Sequence, residues 1–142
     1  MHLEALPFAD QLDHQAWEIE FRVSQGDWPD DKALRIEIFL VYSAVIIRKL
    51  WEHYSELYRE PNVGLDLNSH LAGLVRNGSD QPQSGLTYVH RIIHSQMIDT
   101  GPESRENGVR FQSDHEGVFC VSYEAIVTFI RRVAAATRAV GG

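Results

Sequence analysis

Two histidines four residues apart, His90 and His94, carry the plainest chemical signal in the chain. If the segment is helical, that spacing points both imidazoles the same way, and paired imidazoles on one helix face can ligate a transition metal. On a helix, Leu86, Val89, Ile93 and Met97 share one side. His90 and His94 then lie at the rim of that apolar face. A helical pair needs at least one more ligand, and His70, Asp99, His115 and Glu116 are of the right type. The zinc-protease pattern requires a glutamate directly after the first histidine, and Arg91 stands there instead.

A second chemistry is RNA cleavage by an Arg/His pair. An arginine stabilises a phosphorane-like charge, and a neutral histidine moves a proton. Arg48 and His53 have suitable spacing, as do Arg110 and His115. In a chain with seven histidines, two such matches are about what chance delivers. Arg48 and His53 have one further merit, because they sit on the long segment that also carries Trp51, Tyr54, Leu57 and Tyr58. Nothing else in the sequence has a catalytic pattern. There is no Gly-rich phosphate loop and no Gly-x-Ser-x-Gly elbow, and no cofactor is called for. Cys120, the only cysteine, lies between Phe119 and Val121 and reads as a small buried apolar residue. It cannot form an intrachain disulfide, which fits a reducing cytosol.

The elements that would position these residues read as mainly helical. The sequence predicts a bundle of about five helices with a two-stranded β-hairpin before the last one. By the count of elements this is α+β. A length of 142 residues suits one globular domain spanning 1–142. A first helix at 10–24 has Leu12, Ala16, Ile19 and Val23 in register, with Trp17 and Phe21 widening the stripe. A second begins at Pro29, which suits the first helical position, and meets no Gly or Pro until Pro61. Its middle, 38–47, is apolar nearly all round, which predicts a central helix covered on most sides. The aromatic residues from Trp51 to Tyr58 read as a packing or dimer surface.

Leu67, Leu71, Leu74 and Val75 predict a third, short helix, and residues 86–98 a fourth. Polar stretches at about 77–85 and 100–108 predict flexible loops. Residues 109–112 and 118–123 predict the hairpin, packed through Val109, Phe111, Phe119 and Val121. Ile126, Phe129, Ile130 and Val133 then form the stripe of the last helix, with Ser122 as its N-cap.

Composition is that of a folded protein, with 44% hydrophobic and 23% charged residues. The first 31 residues hold eight carboxylates against Arg22 alone, so the whole net charge of -7 resides there. Such a lobe repels nucleic acid and anionic membranes at long range. The longest apolar run is about half a bilayer span, and no signal peptide is evident. A soluble cytoplasmic protein is expected.

Three pieces in order resemble a group of small bacterial proteins without an assigned activity. They are Ile47-Arg48-Lys49-Leu50-Trp51-Glu52, then Ile92-Ile93-His94-Ser95, then Val118-Phe119-Cys120-Val121-Ser122-Tyr123 leading into Thr128-Phe129-Ile130. The resemblance covers about residues 35–135. It implies a long helix, a helix carrying an Ile-His-Ser step, and a strand feeding a final helix. The chain is also distantly similar to the HEPN superfamily, which includes ribonucleases and non-catalytic nucleotide-binding members. Those nucleases typically follow the arginine with a polar residue, often Asn, near a helix start. Here Lys49 follows, in mid-helix. The leading expectation is therefore a non-enzymatic interaction or dimerisation domain. Alternatives are a HEPN-like ribonuclease using Arg48 and His53, with RNA as partner, and a metal-binding helical protein using His90 and His94.

Overall fold

Helix-forming stretches with one apolar face dominate the chain, and the computed structural model turns them, among the described residues, into four α-helices. It describes residues 5–25, 30–58, 70–71, 75–76, 83–100, 108–113 and 117–141. The order is α1 (Leu6–Ser24), α2 (Asp30–Tyr58), β1 (His70–Leu71), β2 (Val75–Arg76), β3 (Gln83–Ser84), α3 (Gly85–Ile93), β4 (Ser95–Asp99), β5 (Gly108–Ser113), β6 (Gly117–Ser122) and α4 (Tyr123–Gly141).

Helix α1 starts four residues earlier than its stripe suggests, with Pro7 in its first turn, where a missing N–H costs nothing. Its C-terminal end is held by a side chain from the next helix. The Lys32 ammonium donates to the Gln25 carbonyl at 2.8 Å, and Lys32 is itself buried. Ala9, Leu12, Ala16 and Ile19 are fully buried, while Trp17 and Phe21 are exposed and stack on each other at 5.1 Å. They do not widen the core stripe as the sequence suggested. At ~100° per residue they point away from Leu12 and Ala16.

The acidic character of α1 is used against α4. Arg131 makes two hydrogen bonds to Glu20, at 3.0 and 3.1 Å, and Arg138 reaches Asp10 at 2.8 Å and also pairs with Asp13. Part of the acidic lobe is thus matched inside the molecule. Helix α4 is capped as expected, with the Ala125 N–H donating to the Ser122 hydroxyl at 3.2 Å. Its stripe of Ile126, Phe129, Ile130 and Val133 is buried.

The strands differ most from the sequence reading. The hairpin β5–β6 is there, and Val109, Phe111, Phe119 and Val121 are all buried. It is the middle of a four-stranded antiparallel sheet ordered β2-β6-β5-β4, not an isolated pair. The expected third helix is absent at its described positions. Val75 and Arg76 pair with Cys120 and Phe119, and His70 and Leu71 pair with Ser84 and Gln83.

The fourth helix stops at Ile93, and Ser95–Asp99 becomes the edge strand β4. The Ser95 hydroxyl donates to the Arg91 carbonyl at 2.7 Å, closing the helix end. Strand pairing with β5 then satisfies the backbone and lays Ile98 beside Phe111 against the core. The loop expected at 77–85 loses its last residues to β3 and α3, with Ser84 capping α3. The loop expected at 100–108 loses Thr100, whose buried carbonyl accepts from Tyr123, and Gly108, the first residue of β5. The rest of both loops lies outside the described residues. A Cβ at Gly108 would overlap the Val121 carbonyl, so the close approach of β5 to β6 there requires glycine.

An aromatic cluster joins the two halves. Phe111 and Phe119 stack at 5.4 Å, and the Tyr88 ring meets Phe111 and Phe129 edge-on at 6.0 and 5.9 Å. The sheet, α3 and α4 therefore share one core with α1 and α2.

Candidate functional site

Helix α2 is the long continuous rod that its lack of breakers predicts, but it is not covered on most sides. Its inner face of Ile36, Leu40, Ala44, Ile47 and Leu50 is essentially inaccessible. Its outer face exposes Leu34 (57%), Ile38 (55%), Tyr42 (49%) and Val45 (44%). Val41 lies among them, half-buried. Leu34, Ile38, Val41 and Val45 follow one another at intervals of four, three and four residues, the spacing of a two-helix seam. Half of each side chain leaves an apolar area on the order of 400 Å², the size of the largest patch on a typical monomer, which is often functional. The sequence reading missed this because it took the run 38–47 as covered on most sides and placed the packing or dimer surface at the aromatic residues from Trp51 to Tyr58. The signal lay in the spacing, since Leu34 and Ile38 stand opposite Leu40 and Ala44 around the helix.

The aromatic group at the end of α2 behaves differently. Trp51 is half-buried and packs against the core. The side chains of Tyr54, Leu57 and Tyr58 lie outside the described residues.

The structure places Arg48 and His53 on the exposed part of α2. Five residues of helix set them roughly 140° apart. The Arg48 Nε donates to Glu52 Oε1 at 2.9 Å, an i,i+4 pair along the helix. The two are thus on different faces of the same rod.

His90 and His94 are brought together. Their rings lie 4.7 Å apart between centroids, tilted by 59°, at the exposed end of α3. Both stand outside the core rim where the sequence placed them. Among the described residues no cluster of three or more His, Cys, Asp or Glu side chains is arranged to hold a metal. Asp99 sits at the end of β4 opposite Arg110. His70 lies in β1, and His115 and Glu116 are outside the described residues.

Arg110, the other member of the second Arg/His pair, is exposed on the outer sheet face. With Asp99, Gln112 and Val118 it lines a depression of about 250 Å³. Cys120 is opposite Arg110 in the register and is half-buried, less enclosed than its neighbours suggested. A second depression, of about 280 Å³, lies between α1 and α4, lined by Val23, Tyr123, Val127 and the Glu20–Arg131 pair. The Arg131 guanidinium holds the Glu20 carboxyl below its usual range, chiefly through its hydrogen bonds, which outweigh the opposing effect of burial, with its charge a lesser help.

In comparisons with known proteins, no family model, no curated protein and no solved structure matches this chain. Among the described residues no helix is long and apolar enough to cross a membrane.

Proposed function

We propose that the chain is an interaction domain that self-associates through the outer face of α2, its partner a second copy of itself. The observation that carries this reading is the one-sided exposure of Leu34, Ile38, Tyr42 and Val45 on a helix whose other side is locked in the core.

The charges around the stripe favour an antiparallel pairing about a two-fold axis. A parallel pairing would set Arg35, Arg48 and Lys49 beside their own copies, and like charges across a helix pair are unfavourable. In the antiparallel register Leu34 faces Val45 of the second copy, and Ile38 faces Val41, each layer occurring twice by symmetry. The apolar area is about half of the roughly 800 Å² per partner of a standard interface, so a weak, concentration-dependent dimer is expected.

Sedimentation analysis across a concentration series tests this. Wild type should shift from monomer toward dimer as its concentration rises through the micromolar range, and Ile38→Glu should remain monomeric with an unchanged helical spectrum. A wild type that stays monomeric at high micromolar concentration, or an Ile38→Glu variant that dimerises equally, refutes the proposal.

A further inference from the structure

We propose that His90 and His94 form a two-histidine site for a first-row transition ion of borderline softness, Ni²⁺, Cu²⁺ or Zn²⁺. The inference is independent of the α2 surface. Three observations converge on it. The ring centroids are 4.7 Å apart, and both side chains are exposed to solvent. Imidazole torsions about χ2 are broad, so small rotations bring one nitrogen of each ring to roughly 3 Å from the other. That is the spacing two neighbouring ligands need when each lies ~2.0–2.1 Å from one ion.

The backbone fixes the spacing. His94 closes α3, and its N–H still donates to the His90 carbonyl at 3.2 Å, so the i,i+4 relation survives at the helix end. The Ser95 hydroxyl on the Arg91 carbonyl and the pairing of β4 with β5 anchor the chain just beyond. The pair is thus preorganised by the helix-to-strand junction, which lowers the ordering cost of binding.

The site also lies at the C-terminal end of α3, where carbonyl dipoles favour a cation. Imidazole nitrogens select Zn, Cu and Ni over Mg or Ca, which prefer oxygen ligands. The further ligand that a helical histidine pair needs comes from outside the chain, as water or an exchangeable small ligand fills the positions the two imidazoles leave open, so binding is weak and reversible. A bound ion would tie the last turn of α3 to its C-cap, the residue before β4.

The test uses the full chain without an affinity tag and Ni²⁺ as probe, at a pH above the imidazole range. Calorimetric titration of wild type should give saturable binding. His90→Ala and His94→Ala should each weaken it at least about tenfold, with chelator reversing the heat in wild type. His14→Ala, an exposed histidine on α1 near Glu18, should leave it unchanged. The circular dichroism of all three variants should match wild type, since each changed side chain is exposed. Absence of saturable Ni²⁺ binding overturns the proposal. So does binding that survives in both α3 variants, which would locate it elsewhere in the chain.

Discussion

At the scale of single residues, Tyr88 is the sharpest case of a polar atom enclosed without compensation. Its ring is fully buried between Phe111 and Phe129, and its hydroxyl meets no hydrogen-bond partner among the described residues. Burial first, and the neighbouring Tyr123 second, push the phenol well above its ordinary range, so it stays neutral under any physiological condition. Enclosing an unsatisfied hydroxyl costs about 1–3 kcal/mol, whereas the ring contacts depend on carbon atoms alone. Tyr88→Phe keeps the ring and removes the cost. Urea denaturation should find the variant as stable as wild type, or more stable by about 1 kcal/mol. A loss of more than that would mean that the hydroxyl is satisfied. Tyr123 behaves differently, because its buried hydroxyl donates to the Thr100 carbonyl at 2.8 Å, a bond that replacement by Phe would remove.

At the scale of elements, α1 and α4 are joined by apolar packing with an ionic edge. Arg131 clasps Glu20 with both terminal nitrogens, and the carboxyl is held below its ordinary range. A lowered carboxylate contributes stability above its unfolded range and loses it as pH falls through the folded value, so the contribution is present at neutral pH and its loss is confined to the acid limb below about pH 4.5. Both partners are largely exposed, and screening keeps the contribution under about 1 kcal/mol. Glu20→Gln should therefore lower neutral-pH stability slightly and make acid unfolding less steep, as followed by circular dichroism during acid titration. An acid limb identical to that of wild type would argue against the pair. These same elements mark how far the sequence could be read. The stripes of α1, α2 and α4 and the alternation of β5 and β6 were legible, because each is a periodic pattern with one buried face. The edge strands β2 and β4 were not. Val75 and Arg76 are too few to show a period, and Ser95–Asp99 continues the helical spacing of α3, so only pairing with β6 and β5 decides their form. The contact of His90 with His94 was legible from spacing alone. Spacing alone separates Leu34, Ile38 and Val45 from the inner stripe of α2, but which of the two apolar faces stays exposed depends on how far α1 and α3 reach around the helix.

At the scale of the whole molecule, the core and the proposed interface are opposite faces of one helix, so folding and association are coupled. The inner face of α2 is buried by α1, α3 and α4, while the outer face keeps half of four large apolar side chains in water. A second copy that covers them binds the folded chain and not the unfolded one, which raises apparent stability by mass action. At about 100 times the dissociation constant the gain is roughly 2.7 kcal/mol. For a chain of 142 residues that corresponds to a rise in Tm on the order of 5–10 °C. Calorimetric scans of wild type over a hundredfold range of protein concentration should therefore show Tm climbing. Ile38→Glu should give a flat line, because it places a charge where the seam must be dry. Salt separates this from electrostatic association. The seam is apolar, so the climb should persist at high ionic strength, where a contact made by exposed charges would fade. A Tm independent of concentration in wild type would leave the α2 face as ordinary solvated surface. A climb equally steep in Ile38→Glu would place association on another face of the molecule, with the stacked Trp17 and Phe21 of α1 the next apolar surface to substitute.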